Sequence, residues 1–192
     1  MMRRLLVWLE AGLLALAAAT LGYSVYIWVS TRAFQARAVR ELQKQSSIHR
    51  APPATAPVEG ALLGQIEIPR VGVAAVILEG TAASTLQRAV GHIAGTALPG
   101  QAGNIALAGH RDTFFRPLRR IVRGDEALVT TPTRSSVYRV EETRILEPTD
   151  VEVLRPNGAD TLTLITCYPF YFVGSAPKRF LVRAVRISTG PS

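Results

Sequence analysis

The chain has 192 residues, a formal net charge of +8 and one cysteine. A single cysteine excludes an intramolecular disulfide, so packing must hold the fold. Residues 1–44 contain six of the 22 basic residues and two of the 14 acidic ones, so half of the excess positive charge flanks an apolar segment, where it can meet anionic lipid head groups. The remainder has no Lys/Arg tract interleaved with aromatic residues, which argues against nucleic-acid binding.

The first element is an apolar N-terminal segment. Ala11–Val29 contains nineteen residues without a charge, enough for a helix to cross a hydrocarbon layer of about 30 Å. The run ends in aromatic and β-branched residues and then turns basic, without a small-x-small cleavage site. These features favour an uncleaved signal-anchor over a cleaved signal peptide. Basic residues flank both ends, two before and four after, and this count alone would keep the C-terminal side inside the cell.

Residues 30–58 are interpreted as a linker. Thr31–Gln45 is predicted to continue as a polar helix, whereas Ser46–Val58 contains three prolines. Such a Pro-rich stretch is typical of a semi-extended spacer, which we expect to hold a domain away from the membrane. Residues 59–190, about 130 in number, remain for one domain that can bury a core of its own.

Short strand patterns recur through this domain, separated by turn residues. They are Leu63–Ile68, Val73–Leu78, Asn104–Ala108, Glu126–Thr131, Val137–Ile145, Thr161–Thr166 and Phe180–Ile187. Thr85–Val90 is predicted to form a short helix, and Phe114–Ile121 a helical turn. Seven or eight short strands with one or two brief helices predict a mainly all-β fold, a closed or nearly closed β-barrel.

The single cysteine lies at the end of a run that alternates Thr with Leu or Ile. The strand is predicted to end at Cys167, because Pro169 cannot donate to a β-ladder. His110 ends a second apolar run, and Arg179 begins a third. A thiol, an imidazole and a guanidinium at three strand ends are the groups that acyl transfer requires. Without further context, a buried structural thiol and a histidine satisfied within a turn remain the alternatives.

Three of these segments together resemble one protein family. The run TLITC at 163–167 resembles the TLxTC signature of the sortases, the membrane-anchored cysteine transpeptidases of bacterial surfaces. The run AGHR at 108–111, followed by Phe114 and Phe115, is similar to the segment that carries the family's catalytic histidine. Arg179, twelve residues after the cysteine, matches the position of the essential arginine. The resemblance spans roughly residues 60–187 and is greatest to class D.

The resemblance implies a sortase-like barrel and a role for each reactive residue. Cys167 would be the nucleophile, His110 the general acid and base, and Arg179 the group that holds the substrate carbonyl and the oxyanion. Thr166 is a further candidate for oxyanion binding through its backbone N–H or its hydroxyl. His92 is the competing histidine, and we interpret it as a structural or supporting residue.

The resemblance also implies the partners. The substrate would be a secreted protein with an LPxTG-like C-terminal sorting signal, cleaved after its Thr and passed to an amine of a cell-wall precursor or of another protein subunit. It further implies a cytoplasmic N-terminus, residues 1–10, and an extracytoplasmic domain, opposite to the charge count. We expect apolar side chains such as Val73, Ala106 and Leu164 to accept the Leu-Pro pair of the signal.

A reaction without cofactors is expected. Glu141, Glu142 and Asp150 do not form a recognisable calcium loop, and no Cys/His cluster has zinc-ligand spacing. Dependence on calcium is not encoded in any motif. Two alternative functions stay open at this point: a cysteine hydrolase of the same architecture, in which water replaces the amine, and a membrane-tethered binding module without catalysis.

Overall fold

The computed structural model describes residues 2–47, 57–156, 158–172 and 174–190. In chain order the elements are helix α1 (Met2–Ser47), strands β1 (Leu62–Ile68) and β2 (Val73–Glu79), helix α2 (Ala83–Leu86), strands β3 (Val90–His92) and β4 (Asn104–Ala108), a 3₁₀ helix (Arg116–Arg120), strands β5 (Glu126–Thr130) and β6 (Ser135–Leu146), a second 3₁₀ helix (Val151–Leu154), and strands β7 (Thr161–Tyr168) and β8 (Lys178–Gly190).

The eight strands close into a barrel in the order β1-β2-β3-β4-β7-β8-β6-β5. The pairs β2/β3 and β4/β7 are parallel, and the other pairs are antiparallel. Alternate side chains point inward and form one core that includes Ile66, Ile77, Ile105 and Leu164. This packing follows from the two-residue period of a strand, which puts every second residue on the buried face. The predicted closed, mainly β barrel is confirmed.

The seven predicted strands are all present, but an eighth was missed. The predicted helix Thr85–Val90 is wrong at its C-terminal end, because α2 ends at Leu86 and Val90 begins β3. A three-residue strand is too short to show an alternating pattern, so its local sequence does not distinguish it from a helix end. The cysteine strand β7 also runs one residue further than predicted, to Tyr168, and stops directly before the proline.

Helix α1 is continuous over 46 residues, about 69 Å at 1.5 Å per residue. It is the one helix of the described residues that is long and apolar enough to cross a membrane, and its apolar half is exposed, including Leu14, Leu21 and Trp28. A hydrocarbon layer of about 30 Å accommodates less than half of this length. The predicted helical continuation through Gln45 is present, whereas most of the Pro-rich segment (48–56) lies outside the described residues.

The C-terminal half of α1 packs against the barrel. Phe34 and Ala38 contact Val76 on the outer face of β2. Strand β3 pairs only with the last three residues of β2. On the edge of β2 that faces β3, the backbone of Val76 therefore has no strand partner. The side chain of Gln35 fills this position: its Oε1 accepts the Val76 N–H at 2.9 Å, and its Nε2 donates to the Arg88 carbonyl at 2.6 Å.

Candidate active site

Strand β7 presents Cys167 on the outer face of the barrel. Leu162 and Leu164 belong to the interior core, so the alternate residues Ile165 and Cys167 face outward. Cys167 is a free thiol with intermediate exposure. The strand ladder fixes its backbone, while its position near the strand end leaves the thiol reachable from solvent.

Arg179 lies directly opposite Cys167 in the antiparallel β7/β8 ladder. Residues opposite each other in such a pair share one face of the sheet, with Cβ atoms about 4.5–5.5 Å apart. The Nη1 group of Arg179 donates to the carbonyls of Ala176 (3.2 Å) and Lys178 (3.0 Å), which holds the guanidinium at the strand end. Among the described residues, Arg179 has no carboxylate partner, so its positive charge remains available to an incoming carbonyl or oxyanion.

His110 is brought to the same edge by the parallel pairing of β4 with β7. The last register pair is Ala108 with Ile165, and His110 and Cys167 are each two residues further along. The Gly109 N–H donates to the Ile165 carbonyl at 3.1 Å, which continues the contact beyond the ladder. The backbones carrying imidazole, thiol and guanidinium therefore meet at one edge of the barrel.

The turn at His110 is fixed by a buried aromatic ring. A Cβ added to Gly109 would lie only 2.7 Å from a ring carbon of Phe115, so any other residue before the histidine would force the ring or the strand end to shift. Phe115 is fully buried, and its backbone N–H donates to the His110 carbonyl at 3.1 Å. This contact explains why the Gly-His pair is followed at a short distance by aromatic residues.

Thr166 supports the site from the buried side. Its hydroxyl donates to the Gly109 carbonyl at 2.7 Å, and the residue is 2% exposed. The hydroxyl is thus engaged in joining β7 to the histidine turn, and a role for Thr166 in oxyanion binding stays a prediction from the sequence.

Asn104 is a supporting residue that the sequence did not single out. Its Oδ1 accepts the hydroxyls of Thr161 (3.0 Å) and Thr163 (2.7 Å), and its Nδ2 donates to the carbonyls of Val153 and Leu154, each at 3.1 Å. One amide therefore joins β4, β7 and the connection between β6 and β7. An asparagine that starts a strand resembles any turn residue in sequence, so only its partners reveal this role.

His92 has no ring nitrogen free for substrate. It is 1% exposed, its Nδ1 lies 2.7 Å from Glu79 Oε2, and its Nε2 lies 3.0 Å from both the Ala97 carbonyl and the Thr96 hydroxyl. These contacts tie the β3–β4 connection to the end of β2. The interpretation of His92 as a supporting residue stays a prediction, and its buried contacts argue against a role as the general base.

The apolar residues expected to accept the Leu-Pro pair of the signal are wrong. Val73 and Leu164 belong to the closed interior core, and Ala106 is fully buried. A small apolar cluster lies on the outer side of the sheet beside the cysteine; Leu146, Val153 and Leu181 are buried in it, and Leu154 and Ile165 are partly exposed. It lies next to a cavity of about 300 Å³ lined by Arg144, Leu146, Asp150, Glu152, Val153 and Arg183.

The connection after the histidine turn is held by an ion pair between a buried carboxylate, Asp125, and the half-exposed guanidinium of Arg70. Asp125 is 6% exposed and accepts from the Arg70 guanidinium and from the Val122 N–H at 2.9 Å. The hydrogen bond from Arg70 is the main reason that the pKa of the Asp125 carboxyl lies below its ordinary value. The Arg70 Nη2 also donates to the Arg120 carbonyl, so the pair anchors the 3₁₀ helix that follows the histidine turn.

A family model of the sortase domain matches residues 66–187, which include all three reactive residues. The chain belongs to the sortase family. Its similarity to sortase D of Bacillus subtilis (strain 168) is 35% identity over 133 residues, 69% of this chain and 67% of that protein. Sortases are cysteine transpeptidases, and the outer-face arrangement described above is compatible with that chemistry.

Solved sortase structures agree with this assignment. The Sortase D5 transpeptidase of Clostridium perfringens superposes with a TM-score of 0.66 at 28% identity, covering 82% of this chain and 98% of that one. Sortase E of Streptomyces avermitilis gives a TM-score of 0.59 at 34% identity, covering 70% of this chain and 93% of that one. The sortase resemblance predicted from the sequence is confirmed, including its likeness to class D.

Proposed function

We propose that this sortase is a membrane-anchored transpeptidase that cleaves an LPxTG-like C-terminal sorting signal after its Thr. It would pass the acyl group to an amine acceptor on the cell surface, a cell-wall precursor or another protein subunit. Helix α1 would be the anchor, with its N-terminus in the cytoplasm and the barrel outside. The observation that carries the proposal is the Cys167–Arg179 pair on the outer face, together with the His110 turn bonded to β7 beside it.

In the first half of the reaction, the Cys167 thiolate attacks the Thr carbonyl and forms a tetrahedral oxyanion. Arg179 donates hydrogen bonds to that oxygen, and its fixed planar fork requires little reorganisation. The C–N bond then breaks, and the leaving amine takes a proton from the His110 imidazolium. The products are a released peptide, a neutral imidazole and a thioester on Cys167.

In the second half, an amine attacks the thioester carbonyl while His110 removes one proton from it. The C–S bond breaks, which restores the thiolate and the imidazolium and leaves a new amide. No electrons are exchanged with an external carrier, and we propose a reaction without a cofactor. A calcium requirement is then tested by adding EDTA or calcium to the assay.

We assign the Leu-Pro pair of the signal to the outer face of the sheet beside Cys167. Ile165, two residues before Cys167 on this face, is partly exposed, whereas its register partner Leu181 is fully buried. A signal extending from Cys167 along this face would pass over Ile165, and burial of its exposed apolar area contributes about 25 cal/mol per Å².

The test uses the full chain in lipid nanodiscs and a quenched peptide library of LPxTG-like variants. Mass spectrometry follows the acyl adduct on Cys167, with and without an added amine, and Cys167→Ala is the matched control. We expect an adduct that moves to the amine in the wild type and none in the variant. His110→Ala should lower kcat strongly. Arg179→Ala should do the same, and Arg179→Lys should restore it only in part because an ammonium lacks the planar fork.

Each alternative predicts a different product. A cysteine hydrolase forms the adduct but releases free acid whether or not amine is present. A binding module forms neither adduct nor product across the whole library. Either result would refute transpeptidation by this chain.

A further inference from the structure

Arg111 directly follows His110 in the sequence, but its side chain reaches the segment that follows Cys167. Its Nη1 donates to the Pro169 carbonyl at 3.1 Å. Its Nη2 donates to the carbonyls of Phe172 at 2.7 Å and Gly174 at 2.9 Å. Three backbone acceptors of one connecting segment thus converge on a single guanidinium.

These contacts hold an exposed segment outside the β-ladder in one arrangement. Phe172 and Gly174 are exposed, so their carbonyls do not need a protein donor, and the effect of Arg111 is to bind three acceptors together. Arginine offers five N–H groups in a rigid plane, so it can serve several carbonyls at once, whereas the ammonium of lysine is a compact point charge. The choice of Arg at 111 therefore has a geometric reason.

Aromatic contacts fix the same segment from two sides. Phe170 packs edge-on against Tyr168 and Phe180, with ring centroids 6.0 and 5.3 Å apart, which anchors the segment to the adjoining strands. On the other side, the Arg111 guanidinium lies 5.9 Å from the centre of the Phe172 ring. The segment is therefore held both by ring packing and by Arg111.

Arg111 is connected to all three reactive residues through the backbone. It is adjacent to His110 in sequence, it binds a carbonyl two residues after Cys167, and it binds a carbonyl five residues before Arg179. Cys167 and Arg179 are held to each other by the β7/β8 ladder, so a shift of this side chain would chiefly change the position of the His110 imidazole relative to the thiol and the guanidinium. A misplacement of about 1 Å can lower an enzymatic rate about 10²-fold.

We propose that Arg111 is a positioning residue that clamps Pro169, Phe172 and Gly174 against the His110 turn and so sets the position of His110 relative to the Cys167–Arg179 pair. This inference rests on the proposed transpeptidase function. Arg111 does not itself contact the reacting atoms. It acts through the carbonyls that it binds, and a residue that served stability alone would not change turnover of the folded enzyme.

The experiment compares Arg111→Ala and Arg111→Lys with the wild-type full chain in nanodiscs. The matched control is Arg123→Ala, which removes the same charge from an exposed residue of the same β4–β5 connection. We expect Arg111→Ala to lower kcat at least 30-fold while KM changes less than threefold. Arg111→Lys should recover part of kcat, and the control should stay within threefold of the wild type. All assays are run at least 15 °C below each variant's unfolding midpoint.

A second readout needs no sorting peptide. Limited proteolysis of the resting protein with chymotrypsin should cut after Tyr171 or Phe172 at least tenfold faster when Arg111 is replaced by Ala, and should not change in the control. If the wild type makes no thioester, the proposed function fails, while the proteolysis rate still reports on the clamp. An unchanged rate of cleavage in Arg111→Ala would overturn the inference, and so would faster cleavage combined with a kcat within threefold of the wild type.

Discussion

The contact between Gly109 and Phe115 gives the sharpest test of how the fold positions the histidine. Gly109→Ala adds one methyl group whose carbon would lie 2.7, 2.9 and 3.0 Å from three carbons of the Phe115 ring. Carbon atoms in ordinary contact are about 3.5–4.0 Å apart. Either the ring or the end of β4 must therefore move by about 0.8 Å.

The size of the destabilisation by Gly109→Ala follows from the burial of the Phe115 ring. Phe115 is fully buried within the main core and cannot move into solvent, so the methyl group overpacks the site. Overpacking of this kind costs about 1–3 kcal/mol of the free energy of unfolding, or roughly 3–15 °C in the unfolding midpoint of a domain of this size. Because the next residue is His110, a shift of the strand end should also lower kcat about 10- to 100-fold.

The assay is calorimetric unfolding of the full chain in nanodiscs, together with kcat for a cleaved sorting peptide. Adding Phe115→Leu to Gly109→Ala makes room for the methyl group. The double variant should therefore be less destabilised than the sum of the two single changes, by about 0.5–3 kcal/mol. A Gly109→Ala variant with wild-type midpoint and wild-type kcat would refute the steric argument, and strict additivity of the two changes would do the same.

Two further predictions concern polar contacts that support the barrel. The pKa of Asp125 is lowered in the folded state by Arg70. The ionised carboxylate therefore stabilises the fold above the unfolded pKa of about 3.9, and this stabilisation is lost as the pH falls through the lower folded pKa. Asp125→Asn should reduce the unfolding midpoint at pH 7 and make the midpoint depend less on pH below about pH 4. Gln35→Ala leaves the Val76 N–H without its partner and should speed hydrogen exchange at that amide in the full chain, whereas Gln35→Glu keeps this acceptor and removes only the bond to Arg88.

Each of these predictions has an internal control. Glu126 forms an ion pair with Arg139 in which both side chains are about half exposed, so Glu126→Gln should change the midpoint little at any pH. If the unfolding midpoint of Asp125→Asn falls with pH as it does in the wild type, the Arg70–Asp125 ion pair does not cause that dependence. If Gln35→Ala leaves exchange at Val76 unchanged, α1 does not protect the open edge of β2.

Much of the fold was readable from local patterns. Two-residue alternation located seven strands, because inward and outward positions differ in polarity residue by residue. The same information failed at β3, where three residues carry no periodic signal and the sheet pairing decides the structure. It also failed for the site lining: the pattern identified Leu164 as apolar but did not show that it faces the interior, opposite to Cys167.

The sequence by itself determined the family, the barrel class and the apolar N-terminal helix, and it singled out the three candidate reactive residues, because each of these is carried by a contiguous run or a short motif. Only the tertiary structure decided which runs are neighbours. The Thr166 hydroxyl meets the Gly109 carbonyl across 57 residues of sequence, and Gln35 meets Val76 across 41. Such contacts depend on barrel closure and helix packing, and the roles of Arg111, Asn104 and Gln35 therefore become visible only in the folded chain.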